Sequence, residues 1–238
     1  MEETVRLNKY IAECGICSRR DADKLIDAGS IYVNGVVAEM GCRVSDADEV
    51  VYEGRVIRPI RDKIVLAYNK PVGVTCTDRD EHADLTVKDA IDYPVPLHYA
   101  GRLDKDTEGL LLLTNDGDLI DALMRGAHGH EKEYIVKVQG TITDDILDRL
   151  RSGIYLEDLD VTTRPCQVER LGDKKLSIIL TQGLNRQIKR MCKAVGLRVT
   201  SLKRIRVASI VLGDLKPGEY RELNGKEADD LYKMVGME

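Results

Sequence analysis

Three acidic residues stand at alternate positions in Gly101-Arg102-Leu103-Asp104-Lys105-Asp106-Thr107-Glu108-Gly109, directly before the apolar run Leu110-Leu111-Leu112-Leu113. A carboxylate held beside a fixed guanidinium stays ionised at neutral pH, because the opposite charge favours its charged form. It can then act as a nucleophile or a base. By charge pattern alone the same stretch also reads as an acidic loop entering a strand. A second run has the opposite sign: between Thr181 and Arg206 lie Arg186, Lys189, Arg190, Lys193, Arg198, Lys203, Arg204 and Arg206, with no acidic residue among them. The chain of 238 residues has a net charge of −5, so this segment's +8 leaves −13 on the rest. The average argues against a simple nucleic-acid binder, yet a local basic stripe attracts polyanions even on an acidic protein.

Other chemistry-bearing residues point to less. Cys14-Gly15-Ile16-Cys17 has the spacing of half a zinc site, but a structural zinc takes about four ligands, and no second Cys pair or His pair follows. The four histidines, at 82, 98, 128 and 130, show no metal or triad spacing, and His98 reads as a solvent or structural residue near the acidic loop. Asn115-Asp116-Gly117-Asp118 lacks the remaining ligands of a calcium loop and reads as a hairpin turn. No metal is expected. The six cysteines are too dispersed for a disulfide framework. No apolar run approaches the roughly 20 residues of a membrane span, and Met-Glu-Glu-Thr-Val-Arg has no signal-peptide pattern. A cytoplasmic protein with reduced thiols is the expectation.

These residues need elements to position them. In the first 58 residues, Ser18 can cap a helix, with Asp21 as a shorter stand-in for the capping-box glutamate and Ala22, Leu25 and Ile26 as its apolar stripe. Asn34-Gly35 between Ser30–Val33 and Val36-Val37 is a strong hairpin signal. The spacing therefore predicts a small αα-plus-hairpin module over residues 1–58. The charged stretch Glu53–Asp62, holding Gly54 and Pro59, reads as a linker, set at 59–63 for domain boundaries. Residues 64–238 mix strands and helices without a repeating βαβ pattern, which predicts an α+β domain with a mixed, mainly antiparallel sheet. Strands are expected at 64–68, 109–114, 133–138, 163–171, 176–181 and 200–211. Helices are expected at 86–91, 119–125, 144–151, 186–195 and 226–235, the fourth capped by Asn185.

The acidic segment, extended as Gly101–Leu119, resembles the active-site motif of pseudouridine synthases, specifically the small-subunit and large-subunit rRNA enzymes that carry an N-terminal S4 RNA-binding module. The resemblance covers nearly the whole chain. Leu7–Ala12 and Cys17–Ile26 through Val33-Asn34-Gly35 resemble the S4 module. Asn69-Lys70-Pro71-Val72-Gly73 resembles the family's first motif, His130–Tyr134 its tyrosine segment, and Gln182–Met191 its arginine segment. Carried over residue by residue, the resemblance implies that Asp104 is the catalytic aspartate and that Asp106 and Glu108 are not. It implies that Tyr134 stacks on a flipped uracil and assists proton removal from C5, that Arg186 pairs with the aspartate, and that Arg102 helps position the flipped nucleotide. Lys70 and Pro71 are implied to be structural, and Leu202-Lys203-Arg204 to close the cleft.

On this reading no cofactor is needed, since the isomerisation involves no redox change. Phosphates would lie along Lys189, Arg190 and Arg204, and the S4-like helices would add Lys9, Arg19, Arg20 and Lys24 as a second RNA-binding patch. The run Gln182–Cys192 looks most like members that modify large-subunit (23S) rRNA, with other rRNA or tRNA as alternatives. A monomer is expected. The rival reading is a non-catalytic S4-type RNA-binding protein, such as a ribosome assembly factor or regulator. Asp104, Tyr134 and Arg186 together distinguish the enzyme, because a pure binder has no use for a carboxylate in an RNA-facing cleft. A nucleosidase-like hydrolase is a third possibility and would release free uracil.

Overall fold

The computed structural model describes residues 4–77, 85–124 and 129–237. The chain divides into two compact units: one runs up to Lys63 and takes in Pro94–Pro96 and Asn115–Gly117, and the other holds the remainder. In the first unit, helices α1 (Leu7–Glu13) and α2 (Arg19–Asp27) pack over a core that includes Leu7, Tyr10, Ile11, Ala22, Ile26 and Val50. Ser18 caps α2: its Oγ accepts from the Asp21 N–H at 3.2 Å and donates to Asp21 Oδ2 at 2.7 Å. Strands β1 (Ile31–Val33) and β2 (Val36–Val37) are joined by Asn34-Gly35, where φ is 51° and 79°. Positive φ at both positions is the condition for the tight turn whose twist matches a hairpin.

The stretch read as a linker from Glu53 onward is corrected here. Glu53 and Gly54 also take positive φ, 49° and 73°, and join β3 (Val50–Tyr52) to β4 (Arg55–Val56) in a second hairpin. Ile57 is buried and its N–H donates to Val50 O. A glutamate at a left-handed position carries little turn signal in sequence, which is why the pairing was not legible.

In the second unit the described residues form a nine-stranded sheet that serves as the frame. Its main path uses β5 (Val65–Lys70), β6 (Glu108–Thr114), β7 (Lys132–Gln139), β8 (Gln167–Gly172), β9 (Lys175–Leu180), β10 (Arg198–Val207) and β11 (Tyr220–Glu222), in the spatial order β8-β9-β7-β10-β6-β5-β11. Every strand pair on that path is antiparallel except β10 with β6, where Lys203 faces Glu108 and Arg204 faces Gly109. Strands β5 and β6 are buried along almost their whole length. That burial on both faces explains why Leu110–Leu113 is a continuous apolar run rather than an alternating one.

Helices α3 (Gly117–Met124), α4 (Asp144–Ser152), α5 (Gln187–Ala194) and α6 (Gly225–Met234) complete the elements that matter for the site. Two expectations change. Asn115–Asp118 is not a hairpin turn: Gly117 opens α3 directly after β6. The strand expected at 200–211 breaks at Ala208, where φ is 51°, and Ile210–Val211 folds back on β10. No helix among the described residues is long and apolar enough to cross a membrane.

Candidate active site

The acidic segment forms a tight turn before β6. The Thr107 N–H donates to Asp104 O at 3.0 Å, which places Lys105 and Asp106 at the turn's apex. Two contacts hold its underside to the segment after β5: Gly73 N–H donates to Lys105 O at 2.8 Å, and Leu103 N–H donates to the buried Cys76 Sγ at 3.5 Å. Lys70 is fully buried, and its Nζ donates to Pro71 O and Val74 O, both at 2.8 Å. Burial holds the Lys70 amine below the ordinary lysine range, partly offset by Cys76, Asp104 and Asp106. Lys70 thus ties the segment that supports the aspartate turn.

Behind the turn, β6 approaches β10 very closely. Gly109 has φ 111°, and a Cβ there would sit 2.2 Å from Arg204 O. Only glycine permits both the backbone conformation and that separation.

Among the described residues, the cation nearest Asp104 is Lys189. Its Nζ donates to Asp104 Oδ2 at 3.0 Å, to Thr107 Oγ1 at 3.0 Å and, closely, to Asp106 Oδ1. Arg186 stands farther off, with Nη1 3.5 Å from Asp104 Oδ2 and Nη2 3.5 Å from Asp106 Oδ2. The sequence reading gave the pairing to Arg186 and assigned Lys189 to phosphates; the geometry brings both to the carboxylates and buries Lys189 the more, at 13% side-chain exposure against 45%. Burial pushes the Asp106 carboxyl up, but the hydrogen bond and charge of Lys189, aided by Arg186, outweigh it and hold the group below the ordinary carboxylate range.

The local fold explains why Lys189 points inward. Arg186, not Asn185, occupies the position before α5, in a left-handed conformation with φ 51° and ψ 34°. A non-glycine residue there costs about 1–2 kcal/mol and persists because its neighbours fix it. Buried Gln187 is one of them: its Oε1 accepts from Leu184 N–H at 3.0 Å, and its N–H donates to Leu184 O. Sequence reasoning missed Gln187. A lysine in a helix's first turn also opposes the helix dipole, so the acidic turn compensates a placement that propensity disfavours.

Asp104 and Tyr134 line one cleft that opens to solvent, together with Arg102, Leu184, Arg186 and Leu202. Tyr134 lies on β7 opposite Arg204, just past an irregularity between Glu133 and Tyr134. It packs against two apolar clusters, one that holds Val136, Leu180 and Leu202 and one that holds Tyr68, Leu103 and Leu111. Arg102 is exposed at the rim. The remaining expected phosphate contacts divide. Arg190 pairs with Asp158 and donates to Asn185 O, and Arg204 is a correction: it is 2% exposed, with Nε donating to Leu110 O at 2.7 Å, so no phosphate in solvent reaches it. In the first unit Arg19, Arg20 and Lys24 are exposed, Lys24 pairing with Asp21 at 2.8 Å, while Lys9 lies 3.7 Å from Glu13.

No group of three or more His, Cys, Asp or Glu suited to a metal occurs among the described residues. Burial pushes the Cys14 thiol up to about 12, and His98 is exposed on a short strand beside β6. His82 and His128 lie outside the described residues.

The RNA pseudouridylate synthase family profile matches residues 64–194, and the S4 domain profile matches residues 5–50. A Salmonella typhi protein named dual-specificity RNA pseudouridine synthase RluF is 41% identical over 236 residues, covering 98% of this chain and 81% of its own. A Pseudomonas aeruginosa protein named ribosomal large subunit pseudouridine synthase B is 35% identical, over 98% of this chain and 63% of its own. A solved structure described as a pseudouridylate synthase superposes with a TM-score of 0.71 at 33% identity, covering 95% of this chain and 99% of its own.

Proposed function

The chain belongs to the RNA pseudouridylate synthase family and carries an S4 domain, and from that premise we propose that it converts a specific uridine of large-subunit (23S) rRNA to pseudouridine, with Asp104 as the catalytic carboxylate, Tyr134 against the base, and Lys189 and Arg186 as the cations that serve the aspartate. The observation that carries the residue assignment is the convergence of Asp104, Tyr134 and Arg186 on one open cleft, with Lys189 hydrogen-bonded to Asp104 behind it. A relative named for the large ribosomal subunit, 35% identical to this chain, supports that RNA class.

The isomerisation breaks the N1–C1′ bond, turns the uracil and forms a C5–C1′ bond; C5 loses a proton and N1 gains one. A stacked nucleotide hides C1′, so the uridine must be flipped into the cleft or presented by a loop. Stacking on Tyr134 offsets part of that cost. Whether the carboxylate attacks C1′, attacks the base or removes the ribose 2′ proton, the chemistry needs it charged, and Lys189 and Arg186 supply the opposite charges. Arg102 at the rim helps hold the flipped nucleotide.

The test is to incubate the protein with unmodified large-subunit rRNA, small-subunit rRNA and tRNA, and to map pseudouridine by carbodiimide-dependent primer extension. A new stop in large-subunit rRNA that Asp104→Asn abolishes, with RNA binding retained, is the expected result. A stop only in another RNA overturns the substrate assignment, and an active Asp104→Asn overturns the site.

A further inference from the structure

Arg204 is a charged residue that the cleft does not display and the phosphates cannot reach. It lies on β10 where three site-bearing features meet: its cross-strand partner on β7 is Tyr134, and its parallel partner on β6 is Gly109, five residues after Asp104. Directly opposed residues share a face of the sheet, so Arg204 and Tyr134 project to the same side. The side chain is 2% exposed. Its Nε donates to Leu110 O at 2.7 Å, across a separation of 94 residues, while its Nη2 is buried with no hydrogen-bond partner among the described residues. Its charge is felt by two other groups beneath the site. Burial pushes the Cys76 thiol up, opposed by the Leu103 N–H bond to its Sγ and by the charges of Lys70, Arg204 and Arg102, while burial, aided by Arg204, holds the Lys132 amine below the ordinary lysine range.

A buried guanidinium with an unsatisfied nitrogen and, among the described residues, no carboxylate partner is a poor stabiliser; an apolar side chain of similar volume is often neutral or better there. Its presence therefore calls for another explanation than fold stability. The side-chain hydrogen bond it makes among the described residues locks the strand that leaves the aspartate turn to the strand that faces Tyr134. We propose that Arg204 is a positioning residue that fixes the separation of Asp104 and Tyr134, acting through the β6–β10 clamp and not through the RNA; this rests on the assignment of those two residues made above.

The experiment measures kcat, KM for the RNA and thermal midpoint for Arg204→Met and Arg204→Lys, with Asp104→Asn alongside. A misplacement of about 1 Å can cost on the order of 100-fold in rate, so Arg204→Met should lose about 10- to 100-fold in kcat with KM within about twofold and a thermal midpoint equal or higher. Arg204→Lys, which keeps the charge and one donor, should recover part of the loss. A kcat within about twofold of the parent in Arg204→Met, a raised KM, or a kcat loss matched by a lowered thermal midpoint overturns the proposal. Should the Met variant not fold, the Lys variant decides by the same split: lowered kcat at unchanged KM supports the role, and parental kcat overturns it. If instead Asp104→Asn is active, the underlying site assignment fails, whatever Arg204 does.

Discussion

Two basic regions of this chain look alike as sequence and are used in opposite ways. In the S4-containing unit, Arg19 and Arg20 open α2 and stay exposed, beside a cap built by Ser18. In the catalytic unit, the denser run from Arg186 to Arg206 is largely consumed internally. Lys189 and Arg186 meet Asp104 and Asp106, Arg190 meets Asp158, Lys203 lies 3.7 Å from Glu108, Arg206 is shared between Glu131 and Glu133, and Arg204 is buried. Of the eight, Lys193 and Arg198 are exposed and make no ion pair among the described residues. A run of like charge in the sequence thus does not say whether its side chains stay exposed, as Arg19 and Arg20 do, or turn inward, as Lys189 and Arg204 do. In the second unit, Lys189 and Arg186 of that run instead order the turn that carries Asp104 and Asp106.

The largest effect separating the two uses is expected at Lys189. Arg and Lys donors aimed at a catalytic carboxylate act on the chemical step, and losing one such preorganised charge costs about 100- to 1,000-fold in rate. Lys189→Met should therefore lose kcat on that scale in single-turnover assays on preformed RNA. The slope of RNA affinity against salt should stay unchanged. A shallower slope with near-normal kcat would place Lys189 on a phosphate and dissolve the distinction between the two regions.

A smaller effect is expected at the exposed pair. Each phosphate contact removed reduces the salt slope by about 1, so Arg19→Glu with Arg20→Glu should flatten it by about 2 and weaken binding at least tenfold, while kcat at saturating RNA stays within about twofold. Filter binding across a salt series reads this directly. An equal loss in kcat would mean that the S4-containing unit shapes the catalytic step as well as affinity.

How far each region could be read in advance follows the range of the interactions that build it. Ser18 and Asn34-Gly35 act within four residues, so cap and hairpin were legible. The aspartate turn was legible as a motif, but which cation reaches it was not. That depends on the left-handed Arg186, which sets the phase of α5 and turns Lys189 toward residues 82 to 85 positions away. The Gly109–Arg204 approach depends on a parallel pairing between strands far apart in sequence, which no local pattern specifies. For Arg204 one signal was present. Leu202 and Arg204 share a face of β10 by strand alternation, so a residue two positions from a buried leucine should itself face inward.

The finest test of the comparison lies at Asp106, which touches the same lysine as Asp104 yet is 55% exposed at its side chain. Burial raises its pKa, and Lys189 with Arg186 lowers it by more, so the folded carboxyl titrates below its ordinary 3.8. A carboxyl depressed in this way contributes stability that is present above the unfolded-state value and is lost as pH falls through the folded one. Removing it by Asp106→Asn should therefore lower the thermal midpoint at neutral pH, and the gap to the parent should close as pH drops below about 4. The gap itself should be small, well under about 1 kcal/mol, because solvent and salt screen a half-exposed pair. Activity should fall by less than about tenfold, since Thr107 and Asp104 still hold Lys189 in place. A loss as large as that of Lys189→Met would mean that the half-exposed carboxylate, and not the one lining the cleft, fixes the cation, and that both aspartates of the turn belong to the site.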